Sequence, residues 1–481
     1  MRTEGLTRRA LLGTATAGAV ALALPQLRCG GGEDERSGGR GAGSSVIVVG
    51  AGLAGLVAAD LLGSEGAEVT LIEARERLGG RVFTVRSPFA GGQIAEGGGE
   101  YIDAVHTVML ELVERFELEL DDLNAVGAEG DGVVIRPGRR RLYEEVAATS
   151  GVEAETERFY EAIYELARPL GGAGAGRAAA ELDASSAADL LDRLGISGDA
   201  RFLLEQDLVG GYTVEPERLS LLFLASAERP YEEVPDRDIE TLRINGGNDQ
   251  LTTALAEDLE GEIVTGSPVD SVTQGSGGVT VEAAGRSYRA DACVLALPLP
   301  ALREIEIGFA APPAVERAVL RTSYGAVTKT LMQFATRTWS EEGLAGYGLT
   351  DLPVGITWDA TDAQPGERGI LISYAAAAAG LEAAFAPLGP ARAAAVSGAE
   401  ALFPGSAAEL GAVARVPWPA EPFTGGSYVA PAPGEALGLA ALRRRVGRVV
   451  LAGEHTDALF PGYMEGAARS GLRAAEQLLG A

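Results

Sequence analysis

The chain has 481 residues, enough for two or three domains, and a formal charge of −28 from 68 acidic and 40 basic side chains. That charge argues against nucleic acid and anionic membrane as partners, and a charged fraction of 22% marks a globular chain rather than a disordered one. With only two cysteines (Cys29, Cys293) and two histidines (His106, His455), no metal centre is expected. A Ser-His-Asp triad has few bases to draw on, so any chemistry must come mainly from a cofactor.

Arg8 and Arg9 stand just before a mild apolar run, Ala10 to Leu24. A bilayer-spanning helix needs about 20 residues, so the run is short for a membrane anchor. Ala21-Leu22-Ala23 offers a small-x-small cleavage site. The pattern resembles a twin-arginine export signal, used by proteins that fold before export. Residues 1–29 are therefore expected to be an address read by that machinery, with a periplasmic, cell-surface or extracellular destination. Residues 30–44 read as a Gly/Ser-rich linker, and no later stretch is long enough to span a membrane.

Ser45 to Val49 is a β-branched run without polar alternation, the pattern of a buried parallel strand. Gly50, Gly52 and Gly55 follow at G-x-G-x-x-G spacing, and Leu56 to Leu62 reads as a helix. Gly50 permits the tight turn, Gly52 lets backbone approach a pyrophosphate, and Gly55 allows close packing of helix on strand. The helix aims its positive end at the phosphates. A second strand, Glu68 to Ile72, delivers Glu73 21 residues after Gly52, where a carboxylate reaches ribose hydroxyls. Strand, helix and acid together make a dinucleotide site.

Beyond Glu73, Arg75 and Arg81 are placed to pair with phosphate, and Gly97, Gly98 and Gly99 permit backbone contact with something flat. From Ala104 to about Arg237 the apolar spacing turns helical, interrupted by a Gly/Ala loop at 171–180. Ile244 to Leu251 leads into another helix, and strand patterns recur at Glu262 to Val272, with a hairpin turn at Gly275 to Gly278. Asp291 to Pro298 is a buried strand in which Cys293 is a packing residue. Arg448 to Glu454 is a last parallel strand, and Gly466 to Leu479 a closing helix. This is an α/β chain with one sheet domain (45–103, 239–318 and 419–481) interrupted by a mixed α+β substrate domain (104–238 and 319–418).

Of the 40 basic residues, 39 are arginine; the only lysine is Lys329, inside a β-like run from Val327 to Phe334. Where a chain so biased keeps one lysine, a compact ammonium rather than a planar fork is required.

Taken together, these stretches resemble the FAD-dependent amine oxidases, the monoamine and polyamine oxidase family, over essentially the whole chain after residue 44. The glycine loop with Ile72-Glu-Ala-Arg-Glu-Arg-Leu-Gly-Gly-Arg81 is similar to that family's amino-terminal signature. Ala452-Gly-Glu-His-Thr-Asp457 with Gly462-Tyr-Met-Glu-Gly-Ala467 is similar to its carboxy-terminal one, and Trp418 to Tyr428 resembles the segment beside the flavin. The resemblance implies a glutathione-reductase-like, Rossmann-type FAD domain. Gly50, Gly52, Gly55 and Glu73 would hold the ADP half, Arg75 and Arg81 would lie near the phosphates, and Gly98 and Gly99 would lie along the cofactor. It further implies that the Val269 backbone contacts adenine, that Glu454 and Met464 lie by the ribityl chain and flavin ring, and that Trp418 lies beside the flavin.

Lys329 falls where the family keeps a lysine joined through a water to flavin N5, and Tyr428 and Tyr463 match the two tyrosines that flank the amine. The implied reaction passes a hydride equivalent from the amine α-carbon to N5. The imine then hydrolyses to aldehyde or ketone, and oxygen reoxidises the flavin to give peroxide, a step for which Lys329 is the candidate assistant. Two departures sharpen the expectation. Ser427 stands where animal monoamine oxidases carry the cysteine that bonds to flavin, so FAD is expected to be non-covalent. Tyr101 stands where amino-acid oxidases carry an arginine for the substrate carboxylate, which disfavours free amino acids. The alternatives on the same fold are an L-amino-acid oxidase and a flavin dehydrogenase or desaturase; a flavin-binding protein without turnover is the remaining one.

Overall fold

A computed structural model describes residues 39–126, 130–171, 175–234 and 239–480. The expected export signal at 1–29, with Cys29, lies outside them. The organising layer is a five-stranded parallel sheet, in the order Val449–Leu451, Ala292–Leu295, Ser45–Val49, Glu68–Ile72, Glu262–Val264. Alternate residues of its central strand enter different cores. Val46 and Val48 pack with the helices, while Ile47 and Val49 join Cys293, Val279 and Val281 on the other face. Both faces are covered, which is why the strand shows no polar alternation. Cys293 is fully buried, and burial pushes its thiol well above the usual range. It is a packing residue.

The helix after the glycine loop starts at Leu53 rather than Leu56 and runs to Ser64, so Gly55 lies within its first turn. It packs along the closing helix, Met464–Leu479. A Cβ on Gly471 would stand 2.4 Å from the Ala54 carbonyl, so only a glycine permits that approach. The hairpin expected around Gly275 to Gly278 joins Val269–Gly275 to Gly278–Ala283 in a four-stranded sheet that covers the opposite face.

A seven-stranded mixed sheet forms the second body, ordered Leu410–Pro417, Val327–Phe334, Gly369–Ala376, Ile356–Asp359, Leu344–Thr350, Asp131–Ile135, Arg140–Leu142. Its last two strands correct the purely helical reading of 104–237. Val133, Val134 and Ile135 are β-branched and buried, and pair with Leu344–Thr350. Within the expected Gly/Ala loop, Ala175–Asp183 is a helix, as its alanine content permits. The helix Thr107–Arg115 places Val108, Met109, Leu112 and Val113 in the same core as the first strand. It therefore packs with the cofactor-domain sheet, although position 104 was expected to open the other domain. No helix among the described residues is long and apolar enough to cross a membrane, and no cluster of His, Cys, Asp or Glu among them suits a metal ion.

Candidate active site

One cavity of about 500 Å³ runs between the two bodies, from the glycine loop to a group of tyrosines. At its first end, Gly50 adopts φ +96°, and a Cβ there would meet the Ala296 carbonyl at 2.6 Å. Gly52 caps the helix Leu53–Ser64, and a Cβ on it would have no neighbour closer than 4.0 Å, so bare backbone faces the cavity. Gly55 lies behind the loop and does not line the cavity; its added Cβ would stand 1.9 Å from the Gly50 carbonyl. The buried Glu73 carboxylate accepts the Ala51 N–H (2.8 Å) on one oxygen and the Arg75 N–H (2.9 Å) on the other. Each oxygen keeps a second lone pair for a hydroxyl.

Arg81 joins the two ends of the chain. Its guanidinium donates to the Glu454 carboxylate (2.9 Å) and the Ser427 carbonyl (2.6 Å), while the other Glu454 oxygen accepts the Gly462 N–H (2.9 Å). Burial pulls the Arg81 pKa down, but Glu454 and Tyr324 outweigh it and the net shift is upward. Arg75 instead bonds Thr424 (2.9 Å), lies 3.5 Å from Glu421 and sits over Phe423. Gly98 cannot carry a side chain, since its Cβ would stand 1.8 Å from the Arg81 carbonyl; Gly99 packs on Met464. The Trp418 indole N–H donates to the Gly97 carbonyl at 2.9 Å. Val269, Trp418, Glu454 and Met464 all line the cavity.

At the far end, Lys329 is almost fully buried on a strand whose eight residues are all buried. Its ammonium donates to the carbonyls of Glu96 (3.1 Å) and Gly98 (3.0 Å) and to the Glu100 carboxylate (2.9 Å). Tyr428 donates its hydroxyl proton to the Gly211 carbonyl (3.0 Å) and meets the Tyr374 hydroxyl at 3.0 Å. Its ring packs on Gly462, where an added Cβ would stand 3.2 Å away. The next residue, Tyr463, lies 5.3 Å from the His106 ring and 6.0 Å from Tyr231. The Tyr231 hydroxyl donates to Asp103 (2.8 Å), and His106 Nδ1 accepts the Asp103 N–H (3.0 Å). Burial lowers the His106 pKa to about 3, so the ring is neutral and Nε2 donates to Tyr231. Glu100, Asp103, Asp207 and Glu240 also line the cavity.

A profile of the family described as flavin containing amine oxidoreductase matches residues 53–479. The chain belongs to that family. Among its relatives, the L-amino-acid oxidase of Mus musculus is 30% identical over 457 residues, covering 90% of this chain and 70% of the mouse protein. Two solved family structures share its fold. A double mutant of putrescine oxidase superposes with a TM-score of 0.82 at 25% identity, covering 91% of this chain and 99% of that one. Cyclohexylamine oxidase from Brevibacterium oxydans gives 0.81 at 26%, with the same coverage. The fold is thus that of the flavin amine oxidases, with a parallel FAD-binding sheet and a mixed substrate sheet.

FAD is the cofactor expected of this family, and the residues present fit it. The bare backbone of Gly52 at a helix N-terminus suits a pyrophosphate, Glu73 suits a ribose, and Gly98 and Gly99 bring backbone to the cavity wall. Sequence reasoning missed Glu100, Tyr374, Arg243 and the Asp103–His106–Tyr231 group. Glu100 had a signal, an acid in a run of glycines. Tyr374 had none, because it faces Lys329 only through the pairing of two strands distant in sequence.

Proposed function

We propose that this flavin amine oxidoreductase is an oxidase of small amines, the neutral amine lying between Tyr428 and Tyr463 with its α-carbon towards the flavin. The observation that carries this reading is the lining of the cavity, where the two tyrosines are accompanied by Asp103, Asp207 and Glu240. Carboxylates draw in a cationic amine and set like charge against the carboxylate of an amino acid. Phenol π faces favour the amino group in the slot. Bound FAD would supply the acceptor for a hydride equivalent from the α-carbon and the relay of those electrons to oxygen, so that the overall products would be peroxide and an imine that hydrolyses to aldehyde or ketone.

The chain supplies orientation. Tyr428 is held through its hydroxyl by Gly211 and Tyr374, and Tyr463 is held against His106 and Tyr231. Lys329 holds a positive charge at the cavity floor. The buried Ser427 hydroxyl shares a 2.6 Å hydrogen bond with Thr213 and offers no thiolate, which supports non-covalent FAD. Export through a twin-arginine signal in residues 1–29 is part of the proposal; amino-terminal sequencing of protein recovered outside the cytoplasm tests it.

Anaerobic mixing with monoamines, diamines and polyamines tests the reaction. The flavin should bleach, then recover with peroxide release once air is admitted. Bleaching without recovery in air would make the protein a dehydrogenase, and no bleaching by any amine would refute the proposal. The similarity to the mouse enzyme favours one second reading, an L-amino-acid oxidase. Bleaching by amino acids but not by their decarboxylated amines would establish it.

A further inference from the structure

A phenol has one proton to donate and lone pairs to accept with, so the partners of a buried hydroxyl fix where its proton points. Beside the slot, Asp103 and His106 are 1% exposed and Tyr231 is 4% exposed. The Tyr231 hydroxyl gives its only proton to the Asp103 carboxylate (2.8 Å), whose other oxygen accepts the Glu240 N–H (2.6 Å). His106 Nδ1 is occupied by the Asp103 N–H, so Nε2 carries the ring proton and turns it towards the Tyr231 oxygen at 3.1 Å. The rings are clamped as well: Phe460 meets His106 and Tyr231 edge-on at 5.2 and 6.2 Å, and Ile239 packs in the same cluster. Tyr463 hydrogen-bonds to the hydroxyl of Tyr231. With the Tyr231 proton already given to Asp103, Tyr463 is the donor of that bond. At Tyr428 the order is set by a carbonyl, which only accepts. The Tyr428 hydroxyl donates to Gly211 (3.0 Å), so the Tyr374 hydroxyl donates to Tyr428 (3.0 Å).

We propose that Tyr231, oriented by Asp103 and His106, is a positioning residue that takes the Tyr463 hydroxyl proton, so that neither tyrosine of the slot has an O–H to give a ligand. The effect is selective. An amine brings its own N–H donors and loses nothing where phenol protons are committed elsewhere. The aldehyde or ketone left when the imine hydrolyses brings only acceptor lone pairs, so neither phenol holds it and the product leaves the slot. A Tyr463 free to donate would instead bond that carbonyl and retain it. For its meaning in turnover this inference rests on the amine oxidase reading, but the order of the protons does not depend on it.

The test is the binding of a ketone to the full-length holoprotein, with cyclohexanone as the probe and its dissociation constant read by ligand-observed NMR. In Tyr231→Phe the Tyr463 proton loses its acceptor and becomes available to the ketone. One neutral hydrogen bond corresponds to about a threefold to tenfold tightening, which the variant should show over wild type. Adding Tyr463→Phe should abolish the gain, which separates release of that proton from a general loosening of the slot. An affinity unchanged or weakened in Tyr231→Phe, or a gain that persists in the double variant, would overturn the proposal. Where Tyr231→Phe fails to fold, Tyr463→Phe alone decides. It should bind cyclohexanone as wild type does, because the hydroxyl removed had no proton to give. A loss of about threefold or more would show that Tyr463 does donate, and would also overturn the proposal. Ketone binding needs no turnover, so failure of the proposed reaction is distinguishable from failure of this inference.

Discussion

Glu96 sits behind the lysine, 1% exposed, with its carboxylate accepting the Asn248 N–H (2.9 Å) and the Thr84 hydroxyl (3.0 Å). Burial raises its pKa from an ordinary 4.5 to about 7; Glu100 adds to the rise, while Asn248, Thr84 and Lys329 oppose it. A carboxyl whose pKa is higher folded than unfolded contributes stability fully present below about 4.5 and lost as pH rises through about 7. The loss corresponds to roughly 3 kcal/mol. Glu96→Gln copies the neutral carboxyl at every pH and so escapes it. Equilibrium unfolding in urea of both proteins, at pH values near 4.5 and 8, isolates this residue because all other titrating groups are common to the two. The variant should gain about 3 kcal/mol relative to wild type between those pH values. A difference in unfolding free energy that is the same at both would refute the reasoning.

Two further outcomes follow from the cofactor half of the site. Gly55→Ala would press a Cβ to 1.9 Å from the Gly50 carbonyl, so the variant should fold around a displaced glycine loop and purify without FAD; a yellow protein with normal FAD content would contradict the geometry. Acid precipitation of wild type should leave a white pellet and intact FAD in the supernatant, because Ser427 supplies no thiolate; colour kept in the pellet would show a covalent bond.

The cofactor half was legible because its rules are local. The glycine spacing, the strand before it and Glu73 lie within one continuous stretch, and each has one physical job. The substrate half was legible only through resemblance. Tyr428, Tyr463 and Lys329 come from three separate elements, and no periodicity brings them together. Glu100 was read past as part of a glycine cluster, although its carboxylate is the partner of the one lysine. The strand Asp131–Ile135 was hidden inside a helical stretch, since three β-branched residues in a five-residue strand are too few to outweigh the flanking 3.6-residue spacing. Trp358 could not be oriented until the pairing of Ile356–Asp359 with Gly369–Ala376 turned it towards Glu100.

The central claim is that this cavity oxidises amines in preference to amino acids. Peroxide release measured as kcat/KM for an amine and for the amino acid from which it derives, such as phenylethylamine and phenylalanine, tests it most directly. Like charges brought together in a recognition site cost several kcal/mol, so the amine should be favoured by at least about a hundredfold. Equal values, or a preference for the amino acid, would contradict the account.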